Sequence, residues 1–151
     1  MSTGLNTLDT ILVMEDNQDD YEAMERSFRK SRLMNPIQWC QDGADALDYI
    51  FRKGKYSGDD TVVTPCFILL DLNMPGIDGR QVLKELKSDP QKKSIPVIVL
   101  TTSSDEIDVN KCYDLGASTY IQKPVAFDAL LSAAERIKDY WFGLALLPQK
   151  Q

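Results

Sequence analysis

The stretch Phe67-Ile68-Leu69-Leu70-Asp71-Leu72-Asn73-Met74-Pro75-Gly76-Ile77-Asp78-Gly79 decides the fold. Four apolar residues run directly into an aspartate, and Pro75, Gly76 and Gly79 then end any extended run. A short apolar run bounded by turn residues reads as a strand buried on both faces, the kind that parallel sheets contain. Asp71 is thereby placed at the carboxyl end of a central parallel strand, the edge where open α/β sheets hold their ligands. The plainer role for Asp71 is to cap the helix that follows, and the other strand ends decide between the two.

Upstream, residues 10–14 (Thr-Ile-Leu-Val-Met) form a second buried strand that ends in Glu15 and Asp16. Asn17 or Asp16 caps the next helix, whose apolar stripe is Tyr21, Met24 and Phe28. Asn35-Pro36 closes the loop, and residues 37–41 make a short strand. Asp42-Gly43 opens a helix expected to turn Ala44, Leu47, Ile50 and Phe51 inward. Residues 52–64 are a polar connection with two glycines, longer than the roughly 2–6 residues usual between helix and strand. It reads as a tolerated insertion, with a partner contact as the alternative.

Downstream, Gly79 starts a helix with Val82, Leu83 and Leu86 inward, stopped by Asp89-Pro90. Residues 95–100 (Ile-Pro-Val-Ile-Val-Leu) are another buried strand, ending in Thr101, Thr102 and Ser103. Ser103 and Glu106 have the spacing of a capping box for a helix that stops at Gly116. Residues 118–122 form the last strand, which delivers Lys123-Pro124. A final helix over residues 127–142 carries the stripe Phe127, Leu130, Leu131, Ala134, Ile137 and Trp141, and Gly143 ends it. Five strands alternating with five helices make a parallel sheet covered on both faces by right-handed crossovers.

Composition narrows the function. The 151 residues suffice for one domain, expected as a mobile lead-in over 1–9, a domain over 10–142 and an apolar tail over 143–151, with no output domain. A net charge of −6 argues against direct nucleic-acid binding, which needs a basic face. No apolar run approaches the roughly 20 residues of a membrane span, and residues 1–9 lack the pattern of a signal peptide. Three cysteines, Cys40, Cys66 and Cys112, read as reduced thiols of a cytoplasmic protein. The chain has no histidine, which removes Ser-His and Cys-His nucleophile pairs and any role as a phosphohistidine carrier.

The strand ends carry the chemistry. In a parallel sheet Glu15, Asp16, Asp71, Thr101 and Lys123 all arrive on one edge. Clustered carboxylates repel, and one would be driven toward protonation unless cations intervene. Mg²⁺ suits a site of one or two carboxylates plus a phosphate oxygen, and Lys123 adds a fixed positive charge. A carboxylate nucleophile, a metal and a lysine match phosphoryl transfer, where positioning and charge stabilisation dominate.

Glu15-Asp16, Asp71-Leu72-Asn73-Met74-Pro75-Gly76, Leu100-Thr101-Thr102-Ser103, Tyr120 and Lys123-Pro124, in this order at the ends of these strands, resemble the receiver domain of two-component response regulators. The resemblance spans residues 10–142. It implies a flavodoxin-like fold with a five-stranded parallel sheet in the order 2-1-3-4-5. The long connection before the third strand, the Leu-Thr-Thr-Ser sequence and the missing output domain narrow the likeness to the stand-alone regulators paired with bacterial phytochromes.

The resemblance also implies roles. Asp71 accepts a phosphoryl group from a phosphohistidine of a sensor histidine kinase, a phytochrome on the narrower likeness, and the domain then catalyses its own dephosphorylation. Asp16, Asp71 and the backbone carbonyl of Asn73 hold Mg²⁺, with Glu15 where the family commonly has Asp. Lys123 pairs with the phosphoryl oxygens, and Lys123-Pro124 is expected to be cis. Thr101 and Tyr120 form the switch, while Asn73, Thr102 and Ser103 flank the phosphoryl group. The readout is a protein–protein contact through the fourth helix, fifth strand and fifth helix.

Tyr140, Trp141, Phe142, Leu144, Leu146 and Leu147 exceed what one helix buries against its own sheet, and predict a homodimer through the last helix. The alternative is a tail folded back on its own domain. A flavodoxin would need a glycine- and hydroxyl-rich loop where Glu15-Asp16-Asn17-Gln18-Asp19-Asp20 stands, and a haloacid-type phosphatase would need an acid where Asn73 stands. The serious rival is a receiver fold that binds partners without being phosphorylated.

Overall fold

The computed structural model describes residues 9–148. The expected lead-in falls almost entirely outside them. Five parallel strands lie in the order β2-β1-β3-β4-β5: β1 (Ile11–Met14), β2 (Ile37–Cys40), β3 (Phe67–Leu70), β4 (Val97–Thr101) and β5 (Thr119–Gln122). The helices are α1 (Gln18–Lys30), α2 (Gly43–Phe51), α3 (Gly79–Ser88), α4 (Glu106–Leu115) and α5 (Phe127–Ile137). The alternation of strand and helix is the one the residue pattern implies, and the sheet order is the one the family resemblance implies.

Strand periodicity divides the core in two. Leu12, Met14, Ile68, Leu70, Val97 and Val99 face α2, α3 and α4. Their neighbours Ile11, Val13, Phe67, Leu69, Ile98 and Leu100 face α1 and α5. Side chains alternate across a strand, so each central strand needs apolar residues at every position, which is why these runs are unbroken. Register follows: Met14 pairs with Leu70 and Leu70 with Val99, so Glu15, Asp71 and Leu100-Thr101 leave the sheet side by side.

Several boundaries and faces depart from expectation. β4 begins at Val97, because Pro96 has no N–H to give and contributes only its carbonyl, which accepts from Ile68 N at 3.0 Å. In α2 the buried residues are Gly43, Ala46, Tyr49 and Ile50, so Ile50 faces inward as expected and Leu47 and Phe51 pack half-buried against the core, while Ala44 is exposed. The helix is apolar on adjoining faces, and packing chooses the one that lets Tyr49 meet Tyr56 edge to face at 5.1 Å. Asp42 caps α2 by accepting from Asp45 N.

The capping box at α4 does not form. Asp105 is the N-cap, accepting from Ile107 N at 2.8 Å, and the Ser103 hydroxyl is engaged elsewhere. The long connection after α2 is bound back to the domain: a short 3-10 turn, Gly54–Tyr56, brings the Tyr56 hydroxyl to Asp45 Oδ1 at 2.9 Å, and Val62 is buried.

The last helix stops its regular turns at Ile137 and continues as a wider π-type turn, Lys138–Phe142. Residues next to each other on a regular helix diverge by about 100°. The widened turn instead sets both Trp141 and Phe142 against Phe67, with ring centres 5.9 and 5.5 Å away. The tail after Gly143 is divided: Leu147 packs against the core, while Leu144 and Leu146 are exposed. The Lys123-Pro124 bond is trans, since no cis peptide occurs among the described residues, and the trans form is the intrinsically favoured one. Lys123 nevertheless points into the site.

Candidate functional site

The site is assembled at the carboxyl edge of the sheet, one residue or two beyond each strand. Glu15 follows β1 and remains tied to β2, its N–H donating to Cys40 O at 3.1 Å. Asp16 comes next and is exposed. Asn17 turns the chain into α1 by accepting from Asp20 N at 2.9 Å. Trp39, from β2, braces this turn from the side. Its indole N–H donates to Glu15 O at 2.7 Å, and its ring stacks on Tyr21 of α1 at 4.1 Å.

Asp71 follows β3, and its N–H donates to Met14 O at 3.1 Å. The residue is 7 % exposed, and its carboxylate is engaged on both oxygens. Oδ1 accepts from Asn73 N at 3.0 Å and from the Thr101 hydroxyl at 3.1 Å, and Oδ2 accepts from Lys123 Nζ at 3.0 Å. Asp71 therefore does not cap α3; Asp78 does, accepting from Arg80 N and Gln81 N. Gly79 has no room for a side chain, because a Cβ there would collide with the Asp71 carbonyl. The start of α3 is thus pressed directly against the strand end that presents Asp71.

Thr101 closes β4 and is fully buried, with Asn73 Nδ2 donating to its hydroxyl at 3.4 Å. Lys123 follows β5 and is held by its N–H to Thr101 O at 2.6 Å. From there its ammonium donates to Glu15 Oε1 at 2.6 Å, Asp71 Oδ2 at 3.0 Å and Asp20 Oδ2 at 3.4 Å. Glu15, Asp71, Thr101 and Lys123, far apart in sequence, thus converge at one edge of the sheet.

Electrostatics show one cation serving several acids. Burial pushes the Glu15 carboxyl up to about 7, the Lys123 hydrogen bond pulls against it, and the charge of Asp71 adds to the rise. Burial alone would lower the Lys123 ammonium, but the Glu15 hydrogen bond and the charges of Asp71 and Glu15 outweigh it and hold the group above its ordinary value. One lysine does not neutralise three acids. Oxygen atoms of Glu15, Asp16 and Asp71 lie within 4.8 Å of one another, with only Asp16 open to solvent. An all-oxygen set of excess negative charge with one exposed ligand fits a hard divalent cation such as Mg²⁺.

The remaining predicted residues surround this centre. Thr102 is exposed. Ser103 turns its hydroxyl away from Asp71, to Asp108 Oδ2 at 2.9 Å. Tyr120 is half-buried and donates its hydroxyl to Ser103 O at 2.9 Å. Sequence reasoning missed Trp39, whose role depends on a strand partner, and the tie between Arg80 and Asp108, which joins two helices. Asp20 was legible only as part of an acidic run.

The response regulator receiver domain model matches residues 11–135. A probable methanogenesis regulatory protein, FilR2 of Methanothrix harundinacea, is 36% identical, with 95% of each chain covered. The response regulator Rcp1 of Synechocystis is 34% identical over 98% of this chain and 99% of its own, and the structure of its Mn²⁺-bound form superposes with a TM-score of 0.85 over 93% of this chain and 99% of that one. The phosphorylated cyanobacterial phytochrome response regulator RcpA superposes with a TM-score of 0.86 at 37% identity, covering 94% of this chain and 99% of that one. Among the described residues no helix is long and apolar enough to cross a membrane.

Proposed function

The chain belongs to the response regulator receiver family of two-component signalling, and on that premise we propose that Asp71 accepts a phosphoryl group from a phosphohistidine of a sensor histidine kinase. The observation that carries this reading is the Asp71 carboxylate itself, held between Thr101 at 3.1 Å and Lys123 at 3.0 Å beside two further acids. An Asp71 oxygen attacks phosphorus, the phosphorus–nitrogen bond of the phosphohistidine breaks, and the imidazole leaves with the electron pair. The product is an acyl phosphate on Asp71.

Lys123 moves from balancing carboxylates to pairing with phosphoryl oxygens, and Thr101 shifts its hydroxyl from the carboxylate to the new oxygens. Asn73, Thr102 and Ser103 border the approach of the water that later hydrolyses the acyl phosphate. Asp16 and Asp71, with the Asn73 carbonyl and Glu15 beside them, would hold Mg²⁺. When bound, that ion supplies positive charge for the transferred group. A Mn²⁺-bound structure of Rcp1 supports a divalent cation in this family.

The kinase partner is a phytochrome-like sensor on this reading. Its support is RcpA, a phytochrome response regulator solved in phosphorylated form. The domain spans residues 10–142. Signalling passes through protein contacts: phosphorylation biases Thr101, Tyr120 and the α4–β5–α5 face between two populated states. A homodimer forms across that face. Its support is a groove of about 470 Å³ beside β5 and α5, lined by Ile121, Arg136, Tyr140 and Trp141, with Leu144 and Leu146 exposed after it.

The deciding experiment is phosphoryl uptake from acetyl phosphate, and binding of beryllofluoride, in the presence of Mg²⁺. The parent chain gains one acid-labile phosphoryl group and Asp71→Asn gains none. Undiminished labelling of Asp71→Asn would remove Asp71 as the acceptor, and no uptake by the parent would leave the phosphorylation-independent binding module as the function.

A further inference from the structure

The amino ends of α3 and α4 are joined by a buried-edge polar tie. Arg80, in the first turn of α3, donates from Nε and Nη2 to Asp108 Oδ1 at 3.0 and 2.8 Å. The second oxygen, Asp108 Oδ2, accepts from the Ser103 hydroxyl at 2.9 Å. Ser103 Oγ accepts in turn from Asp105 N at 3.3 Å, and Ser103 O accepts from the Tyr120 hydroxyl at 2.9 Å. A single carboxylate thus connects α3 to the β4–α4 loop and, through that loop, to β5.

Apolar packing does little to fix this region. Cys112 is the one buried residue of α4, and Ile107 in its first turn is 74% exposed. The side chains of Arg80 and Asp108 are only 25% and 23% exposed, so water screens their contact less than it screens an ordinary surface pair. The Arg80 hydrogen bond, then the Ser103 hydrogen bond, holds the Asp108 carboxyl below its ordinary value. Where hydrophobic contact is sparse, a charge-assisted network decides where the loop rests.

We propose that Asp108 is a positioning residue of the switch: anchored by Arg80, it pins Ser103 so that the Ser103 carbonyl holds the Tyr120 hydroxyl inward before any phosphoryl group arrives. The inference deepens the receiver reading and rests on it for the meaning of the switch. Tyr120 then occupies its inward position substantially in the unphosphorylated chain, and phosphorylation enlarges a population already present. Arg80 and Asp108 set that resting population without touching Asp71.

The test uses the full chain with fluorine-labelled tyrosine, the Tyr120 resonance being assigned through Tyr120→Phe. Without metal or phosphoryl analogue, the inward-to-outward ratio of Tyr120 falls about tenfold in Asp108→Ala, the factor for one hydrogen bond to a charged group. It falls less in Asp108→Asn, which still offers Ser103 an oxygen, and Arg80→Gln behaves in the same direction should Asp108→Ala not fold. Thermal midpoints, read separately, give the structural cost. An Asp108→Ala or Arg80→Gln spectrum in which Tyr120 matches the parent overturns the proposal, whatever the midpoint does. Beryllofluoride with Mg²⁺ then returns the variants to the inward state. No response of the parent to beryllofluoride indicts the phosphoryl reading instead, and the metal-free comparison still decides the role of Asp108.

Discussion

The Lys123 ammonium lies 2.6 Å from the Glu15 carboxylate, a contact between residues 108 positions apart, and the same ammonium reaches Asp71 Oδ2 at 3.0 Å. Lys123 is the one cation in direct contact with these two buried acids among the described residues, so removing it leaves them facing each other. Lys123→Met is expected to lose about 3 kcal/mol of folding stability without metal, the scale for breaking a buried pair from one side. Saturating Mg²⁺ should return a large part of that loss. Urea unfolding with and without Mg²⁺ measures both, and an equal loss in the two conditions would count against a shared cation site.

Trp39 braces the backbone that presents Glu15 and Asp16. Trp39→Phe keeps an aromatic ring for Tyr21 but removes the indole N–H. The Mg²⁺ dissociation constant is expected to rise about tenfold, as for loss of a group that orients a metal ligand. Stability should fall by only about 1 kcal/mol. Calorimetric titration, with Asp16→Asn as the control for a lost ligand, reads the affinity; an unchanged constant would remove Trp39 from the site.

Thr101 joins Asp71 to Asn73 through one hydroxyl. Thr101→Ala should cost about 1 kcal/mol in stability. Beryllofluoride should still bind, because Asp71 and Lys123 remain, but the Tyr120 resonance should no longer respond to it. A full Tyr120 response in this variant would show that the switch bypasses Thr101.

The Asp108 carboxyl is held low by Arg80, then Ser103, with Lys111 adding to the pull. A carboxylate whose value is depressed on folding stabilises the fold above its unfolded value, near pH 4, and loses that contribution as pH falls through the lower folded value. Asp108→Asn should therefore be less stable than the parent at pH 7, with the difference closing below about pH 4. Chemical unfolding of both chains across that range checks the sign. A gap that persists at low pH would assign it to packing rather than charge.

Tyr140, Leu144 and Leu146 are exposed beside the groove on β5 and α5. Ending the chain at Gly143 leaves Phe142 against Phe67 but removes Leu144 and Leu146. Sedimentation is expected to show the intact chain as a dimer and the shortened one at monomer mass. Identical masses would remove the tail from the interface.

The sequence alone determined the strands, their order of use and the chemistry of one sheet edge. Runs such as Phe67-Ile68-Leu69-Leu70 admit few alternatives, because a strand buried on both faces needs apolar residues at every position and must end where a carboxylate appears. A parallel sheet then brings Glu15, Asp71, Thr101 and Lys123 to the same side without further information. Tertiary structure decided what depends on competition between nearby partners. The pattern of α2 offers Ala44 as an inward residue, but packing exposes it and buries Ala46 instead. Ser103 has the spacing to cap α4, but Asp108, made available by Arg80 from another helix, takes its hydroxyl and leaves the cap to Asp105. Local pattern records which groups a residue can satisfy; which of them it does satisfy is settled by neighbours that the chain brings in from far away.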